Sequence, residues 1–234
     1  SEITTVGYYC NPIQYAEHRK TLENVICTAG KFGATHVSTF AGAWEGKPVE
    51  SAYEEFGKVF RELADLAEEK GVKLGIENCL MDGTWEHATC NIGFNPKAWE
   101  VMFEEVKNDN FGLEWEPTHQ MVQLIDPVTE LRKWCKKIVH IHGKDATIDW
   151  DAVRHSGISG AVPFVWHRMP GFGDTNWRDI ISILRSNGYE DDICIEGYHD
   201  PVYSGELEMT GQLHALNYLK WCRGGDFTPT PWEK

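Results

Sequence analysis

The sequence predicts a single α/β domain over residues 1–234, built on a parallel sheet. Three observations carry that expectation: six short apolar runs of strand character, a helix-period apolar stripe after each, and no Ser/Gly-rich linker or charge block that would divide the chain. Thr5 to Tyr9 is the first strand-like run, and the spacing of Leu22, Val25, Ile26, Ala29 and Phe32 predicts the helix that follows. His36 to Phe40 comes next, followed by Tyr53, Phe56, Phe60, Leu63, Leu66 and Ala67. Steps of three and four place those side chains on one helical face. Val72 to Glu77 precedes the stripe of Trp99, Met102, Phe103 and Val106. Phe111 to Glu116 precedes a helix after Pro127 carrying Val128, Leu131, Trp134 and Cys135. Ile138 to His142 precedes one after Asp174 with Trp177, Ile180, Ile181 and Leu184, and Asp192 to Glu196 precedes one after Thr210 with Leu213, Leu216 and Leu219. Pro96 and Pro127 suit a first helical turn, where no amide hydrogen is needed, and Gly71 and Gly188 suit a stop.

Composition narrows the function. With 22 Lys and Arg against 36 Asp and Glu, the net charge is −14, which opposes the counterion release that drives nucleic-acid binding. No run reaches the roughly 18 apolar residues of a membrane span, and the first residues lack the basic and apolar regions of a signal peptide, so neither a membrane nor export is expected. A cytoplasmic location is the expectation. The seven cysteines form no Cys-x-x-Cys pair and read as reduced thiols in structural roles. Neither a Gly-x-Gly-x-x-Gly turn nor a Walker-type Gly-Lys-Ser/Thr sequence is present, which removes local support for nucleotide binding.

Four of the strand-like runs end in ionisable residues: Gly75-Ile76-Glu77-Asn78, Leu113-Glu114-Trp115-Glu116-Pro117-Thr118-His119, Val139-His140-Ile141-His142-Gly143-Lys144-Asp145 and Cys194-Ile195-Glu196-Gly197-Tyr198-His199-Asp200. The carboxyl ends of parallel strands form one face, and that face carries the active site in such folds. Alternation points Glu114 with Glu116 and His140 with His142. Several carboxylates and an imidazole gathered at one mouth require a compensating charge, and a divalent cation is the simplest. An oxygen-rich set with one His suits Mn²⁺ or Mg²⁺ by hardness, and affinity order admits Zn²⁺ or Co²⁺. Of the ten Trp, Trp44, Trp85, Trp115 and Trp166 fall at or beside strand-end loops, where an indole face packs on the C–H side of a sugar. Trp44 and Trp115 are the expected substrate contacts among them.

The motifs Ile76-Glu77-Asn78-Cys79, Gly112-Leu113-x-x-Glu116-Pro117-Thr118-His119, His140-Ile141-His142-Gly143-Lys144-Asp145, Arg168-Met169-Pro170-Gly171-x-Gly173-Asp174-x-x-Trp177 and Ile195-Glu196-x-x-x-Asp200-Pro201 resemble the sugar phosphate isomerase/epimerase family of xylose isomerase-like TIM barrels. The likeness runs from about Thr5 to about Gly224. It implies that Glu77, Glu116, His142 and Glu196 bind one divalent metal, and that Glu77 and Glu196 take and return the proton. It also implies that His119 meets a substrate hydroxyl and Arg168 the far end of the substrate; Lys144 is a further candidate for an anionic substrate group. The family usually has Asp where this chain has Glu116, one methylene longer. The implied activity is a metal-dependent sugar isomerase or epimerase acting on a keto-sugar or polyol by proton transfer next to a carbonyl. The alternatives are an inosose or keto-sugar dehydratase using the same metal, and a non-catalytic carbohydrate-binding relative.

Length completes the expectation. Six strand-helix units fall short of the eight of a TIM barrel, and the resemblance places Thr5 to Tyr9 at the third strand. An N-terminally incomplete (β/α)8 fold with an open six-stranded sheet is therefore expected. Its unpaired edges would be covered by self-association into a homo-oligomer.

Overall fold

The structure is a computed structural model describing residues 2–226 and 228–230. Its six-stranded sheet runs in the order β1 (Thr5–Gly7), β2 (His36–Thr39), β3 (Lys73–Glu77), β4 (Phe111–Trp115), β5 (Ile138–Gly143) and β8 (Ile193–Ile195). Each of the six strand-like runs of the sequence forms one of these strands, and the first five pair in parallel. The chain divides into two compact units: residues up to His142 with Asp191–Cys194, and Gly143–Glu190 with the residues from Ile195 onward.

In the first unit the helices α1 (Ala16–Ala29), α2 (Tyr53–Glu69), α3 (Pro96–Glu105), α4 (Pro117–Met121) and α5 (Pro127–Trp134) follow strands β1 to β4. The predicted stripes are the buried ones: Leu22 and Ile26 on α1, Phe56, Phe60 and Leu63 on α2, and Trp99 and Met102 on α3. Phe56 and Phe60 stack with centroids 4.6 Å apart and pack against Phe111 of β4. Pro96 and Pro127 open α3 and α5 behind Asn95 and Asp126, whose side chains accept from the backbone amides of Lys97 and Val128, both at 2.9 Å. The sequence pattern gave no sign of α4, because its five residues are too few for an apolar stripe to repeat.

The second unit holds an antiparallel hairpin, β6 (Asp145–Ile148) with β7 (Val165–Arg168), together with α6 (Trp150–Ser156), α7 (Trp177–Ser186) and α8 (Glu208–Arg223). The hairpin and α6 were not expected from the sequence. Asp145 organises this region: its carboxylate accepts the backbone amides of Ala146 (2.8 Å), Gly171 (3.0 Å), Gly173 (3.2 Å) and Thr175 (2.9 Å). Gly173 fits because a Cβ there would come within 2.4 Å of the Asp145 carboxylate. The segment Arg168-Met169-Pro170-Gly171 is thereby held against β6.

One irregularity in the sheet decides the site. Between β4 and β5 the register shifts, so Leu113 pairs with Ile138 but Glu114 pairs with His140. Paired residues of a parallel sheet share a face. Without the extra residue in β5, Glu114 would share its face with Val139, and His140 would lie on the face opposite Glu114. Glu77 pairs with Glu114 on the other side, so one face of the sheet carries Glu77, Glu114 and His140 side by side.

Candidate metal centre

Three of the expected ligands meet in the first unit. Glu77 ends β3, Glu116 caps α4, and His142 lies near the end of β5; Nδ1 of His142 is 2.9 Å from Glu77 Oε1 and 3.6 Å from Glu116 Oε2. Asn78, between the ligand strands, fixes their ends: its side chain donates to Glu116 O at 2.9 Å and accepts from the Glu116 amide at 2.7 Å. His119, on α4, has Nε2 3.3 Å from Glu116 Oε1.

Behind these groups lies a buried carboxylate that sequence reasoning did not place in the site. Glu114 is fully buried; it accepts from Ser38 Oγ at 2.5 Å and Tyr9 Oη at 2.8 Å, and lies 2.8 Å from His140 Nδ1. The Tyr9 ring reaches it by lying over Gly7, where a Cβ would be 2.8 Å from the ring. Burial pushes the Glu114 carboxyl up, but hydrogen bonds and charge from His140 and His142 outweigh it and hold the pKa at about 2. Burial lowers His140, yet hydrogen bonds to Cys194 and Glu114 carry it up to about 9. The far nitrogen of His142, Nε2, lies 3.3 Å from Glu114 Oε1.

This geometry fits a metal. A ligating histidine ordinarily turns its second ring nitrogen to a carboxylate that fixes its tautomer and orientation. Here Nδ1 faces the two carboxylates Glu77 and Glu116 while Nε2 faces Glu114. Alternation along β4 and β5 was the sequence signal for Glu114 and His140; Tyr9 and Ser38 left none.

Glu196 and Lys144 belong to the second unit, where the Lys144 ammonium, itself buried, donates to Glu196 Oε1 at 2.7 Å. The Glu196 amide donates to Gly143 O at 3.1 Å. Arg168 Nε donates to Asp200 at 3.3 Å, and its guanidinium lies 5.8 Å from the Phe172 ring centre. Backbone amides of Tyr203, Met169 and Val202, with Arg168, hold the Asp200 carboxyl below its usual range against the opposing effect of burial. Trp44 is half-buried, with the Lys47 ammonium 5.9 Å from its ring centre. Trp115 differs from its expectation: it is fully buried and its indole N–H donates to Gln120 at 2.8 Å. Its place in β4 turns it toward the helices, on the face opposite Glu114 and Glu116, so it packs the core instead of presenting a face to a sugar.

The parallel strand-helix order, with carboxylates and imidazoles at strand ends, is the arrangement of an α/β-barrel-type fold. The chain belongs to the xylose isomerase-like TIM barrel family, whose model matches residues 2–220. Among its relatives, the inosose dehydratase of Clostridium tetani is 26% identical over 182 residues, which is 76% of this chain and 57% of that protein. The chain thus spans little more than half the length of that relative. Solved structures share the fold. D-psicose 3-epimerase, determined in the presence of D-fructose, superposes with a TM-score of 0.70 at 16% identity, covering 95% of this chain and 79% of that one. The IolI protein, with a bound zinc atom, gives 0.64 at 21% identity, covering 94% and 73%. No helix among the described residues is long and apolar enough to cross a membrane.

Proposed function

We propose that the protein is a divalent-metal-dependent enzyme that moves a proton next to the carbonyl of a keto-sugar or related polyol, with epimerisation or isomerisation as the outcome. The observation that carries the reading is the convergence of Glu77 and Glu116 on Nδ1 of His142, with Glu114 behind its Nε2. Glu196 is the fourth ligand in this proposal. It follows β8, which neighbours β5, and its amide bonds to Gly143, the residue after His142. The metal of the relative with bound zinc supports a cation here without fixing which one; Mn²⁺, Mg²⁺, Co²⁺ and Zn²⁺ all suit carboxylates and an imidazole.

The metal would supply Lewis acidity to the charge that develops on the substrate oxygen. The chain's own groups handle the proton. Glu77 and Glu196 act on opposite faces of the carbon, one removing its proton and the other returning one. Lys144, hydrogen-bonded to Glu196 Oε1, orients that carboxylate. His119, Arg168 and Trp44 are the proposed contacts to the sugar.

Dehydration is the second reading, favoured by the inosose dehydratase relative. It begins with the same proton abstraction and ends by expelling a hydroxyl. Product mass separates the two: epimerisation conserves mass, and dehydration loses one water. Glu77→Gln and Glu196→Gln should each abolish turnover on a panel of ketohexoses, ketopentoses and inososes while melting cooperatively like the parent. Near-normal turnover in either variant would remove the assignment.

A further inference from the structure

Beside the proposed centre, one ligand atom each from Glu77, Cys79 and His119 lies within 4.8 Å of the others. We infer that these three side chains form a second, sulfur-containing site for a soft divalent cation such as Zn²⁺, with Glu77 shared between the two sites. A carboxylate has two oxygens and can serve an ion on each side. The inference shares Glu77 with the proposed centre but needs neither His142 nor Glu196, so the two readings fail separately.

The chain holds this triad in place from several directions. Asn91 is fully buried and its side-chain amide donates to both Glu77 O at 2.9 Å and Cys79 O at 2.8 Å. Its own oxygen accepts the amides of Ala41 and Gly93 at 2.9 and 3.0 Å. The segment 77–79 is therefore clamped at its outer residues by Asn91 while Asn78 ties its centre to Glu116. His119 enters from α4, buried, with its Nε2 3.3 Å from Glu116 Oε1. Tetrahedral zinc with sulfur at about 2.3 Å and nitrogen at about 2.0 Å places its ligands roughly 3.5 Å apart, so closure of the triad asks for side-chain shifts on the order of 1 Å.

The donor set decides the class of ion. A thiolate selects Zn²⁺ or Co²⁺ over Mg²⁺ and Mn²⁺, whereas the four-residue oxygen-rich set accepts any of them. Three protein ligands also leave one position of a tetrahedral ion for water or a substrate oxygen. In the two-ion form His119 is a metal ligand, and in the one-ion form it is left to the substrate.

Cobalt titration of the metal-stripped full chain tests this. The expected result is two equivalents bound, with a near-ultraviolet thiolate-to-cobalt charge-transfer band belonging to one of them. Cys79→Ser should remove the band and one equivalent, and Cys79→Asp should restore the second equivalent without the band. His142→Asn should leave the band intact; loss of that variant's other equivalent alone would bear on the proposed centre only. A second measurement uses the unaltered protein: Zn²⁺ should slow alkylation of Cys79 at least tenfold while the exposed Cys27 reacts as before. A wild-type titration without a thiolate band, a band that survives Cys79→Ser, or Cys79 alkylation indifferent to Zn²⁺ would each overturn the inference.

Discussion

Glu114 is a buried carboxylate that ties together four side chains at the candidate metal centre. It accepts from Ser38 and Tyr9, pairs with His140, and faces Nε2 of His142. With a cation held between Nδ1 and the carboxylates of Glu77 and Glu116, a carboxylate there would favour the proton on Nε2 and leave the Nδ1 lone pair to the ion. Glu114→Gln keeps the volume but can no longer hold that tautomer by charge. We expect divalent-metal affinity to fall by about 10–100-fold, read by calorimetric titration with Mn²⁺. An unchanged affinity would show that His142 is oriented by other means. The Trp115 indole illustrates the reverse case, a side chain beside the ligands in sequence that belongs to the core.

At the scale of elements, the hairpin β6–β7 and the segment after it depend on one buried carboxylate. Four backbone amides converge on Asp145. Asp145→Asn replaces an acceptor oxygen by a carboxamide NH2, a donor that would face backbone amide hydrogens. A loss of about 2–4 kcal/mol is expected, read as a lower urea midpoint with an unchanged slope. The same hairpin carries His167, which burial, then the charges of Lys144 and His199, lower to about 4. Unfolded, that imidazole titrates near 6.5. The folded state therefore keeps it neutral in the window where the unfolded chain binds a proton. Its contribution to stability is complete above roughly pH 6.5 and is lost progressively as the pH falls toward 4. His167→Gln should flatten the pH dependence of the unfolding free energy across that window; an identical profile would exclude His167 as its source.

At the scale of the whole molecule, β1 and β8 stand at the two ends of the six-strand order. A strand end of a sheet presents unpaired amides and carbonyls, and proteins cover such edges. Self-association is the cover we propose. Light scattering should then give a solution mass at a multiple of 26.7 kDa. A mass of 26.7 kDa that does not change with protein concentration would contradict it.

The sequence by itself determined the six strands, the apolar stripes of α1, α2, α3 and α7 and the caps at Pro96 and Pro127, because periodicity and capping depend on residues within a turn or two of each other. On α8 the expected stripe fails, since Leu213 and Leu216 are exposed and Gly211, Ala215 and Leu219 are the buried residues. It also placed Glu77, Glu116, His142 and Glu196 at strand ends, since a strand end is legible where an apolar run stops. It left the hairpin β6–β7 and the short α4 unmarked, both too brief for a pattern to repeat. Only the tertiary structure decided that Glu77, Glu116 and His142 meet within the first unit. The register shift at Leu113 and Glu114 aligns the Glu114 and Glu116 face of one strand with the His140 and His142 face of the next. Such a shift arises from how two strands distant in sequence pack together, and neither strand's own residues encode it. The same holds for Tyr9 and Ser38, brought to Glu114 across 105 and 76 residues of chain.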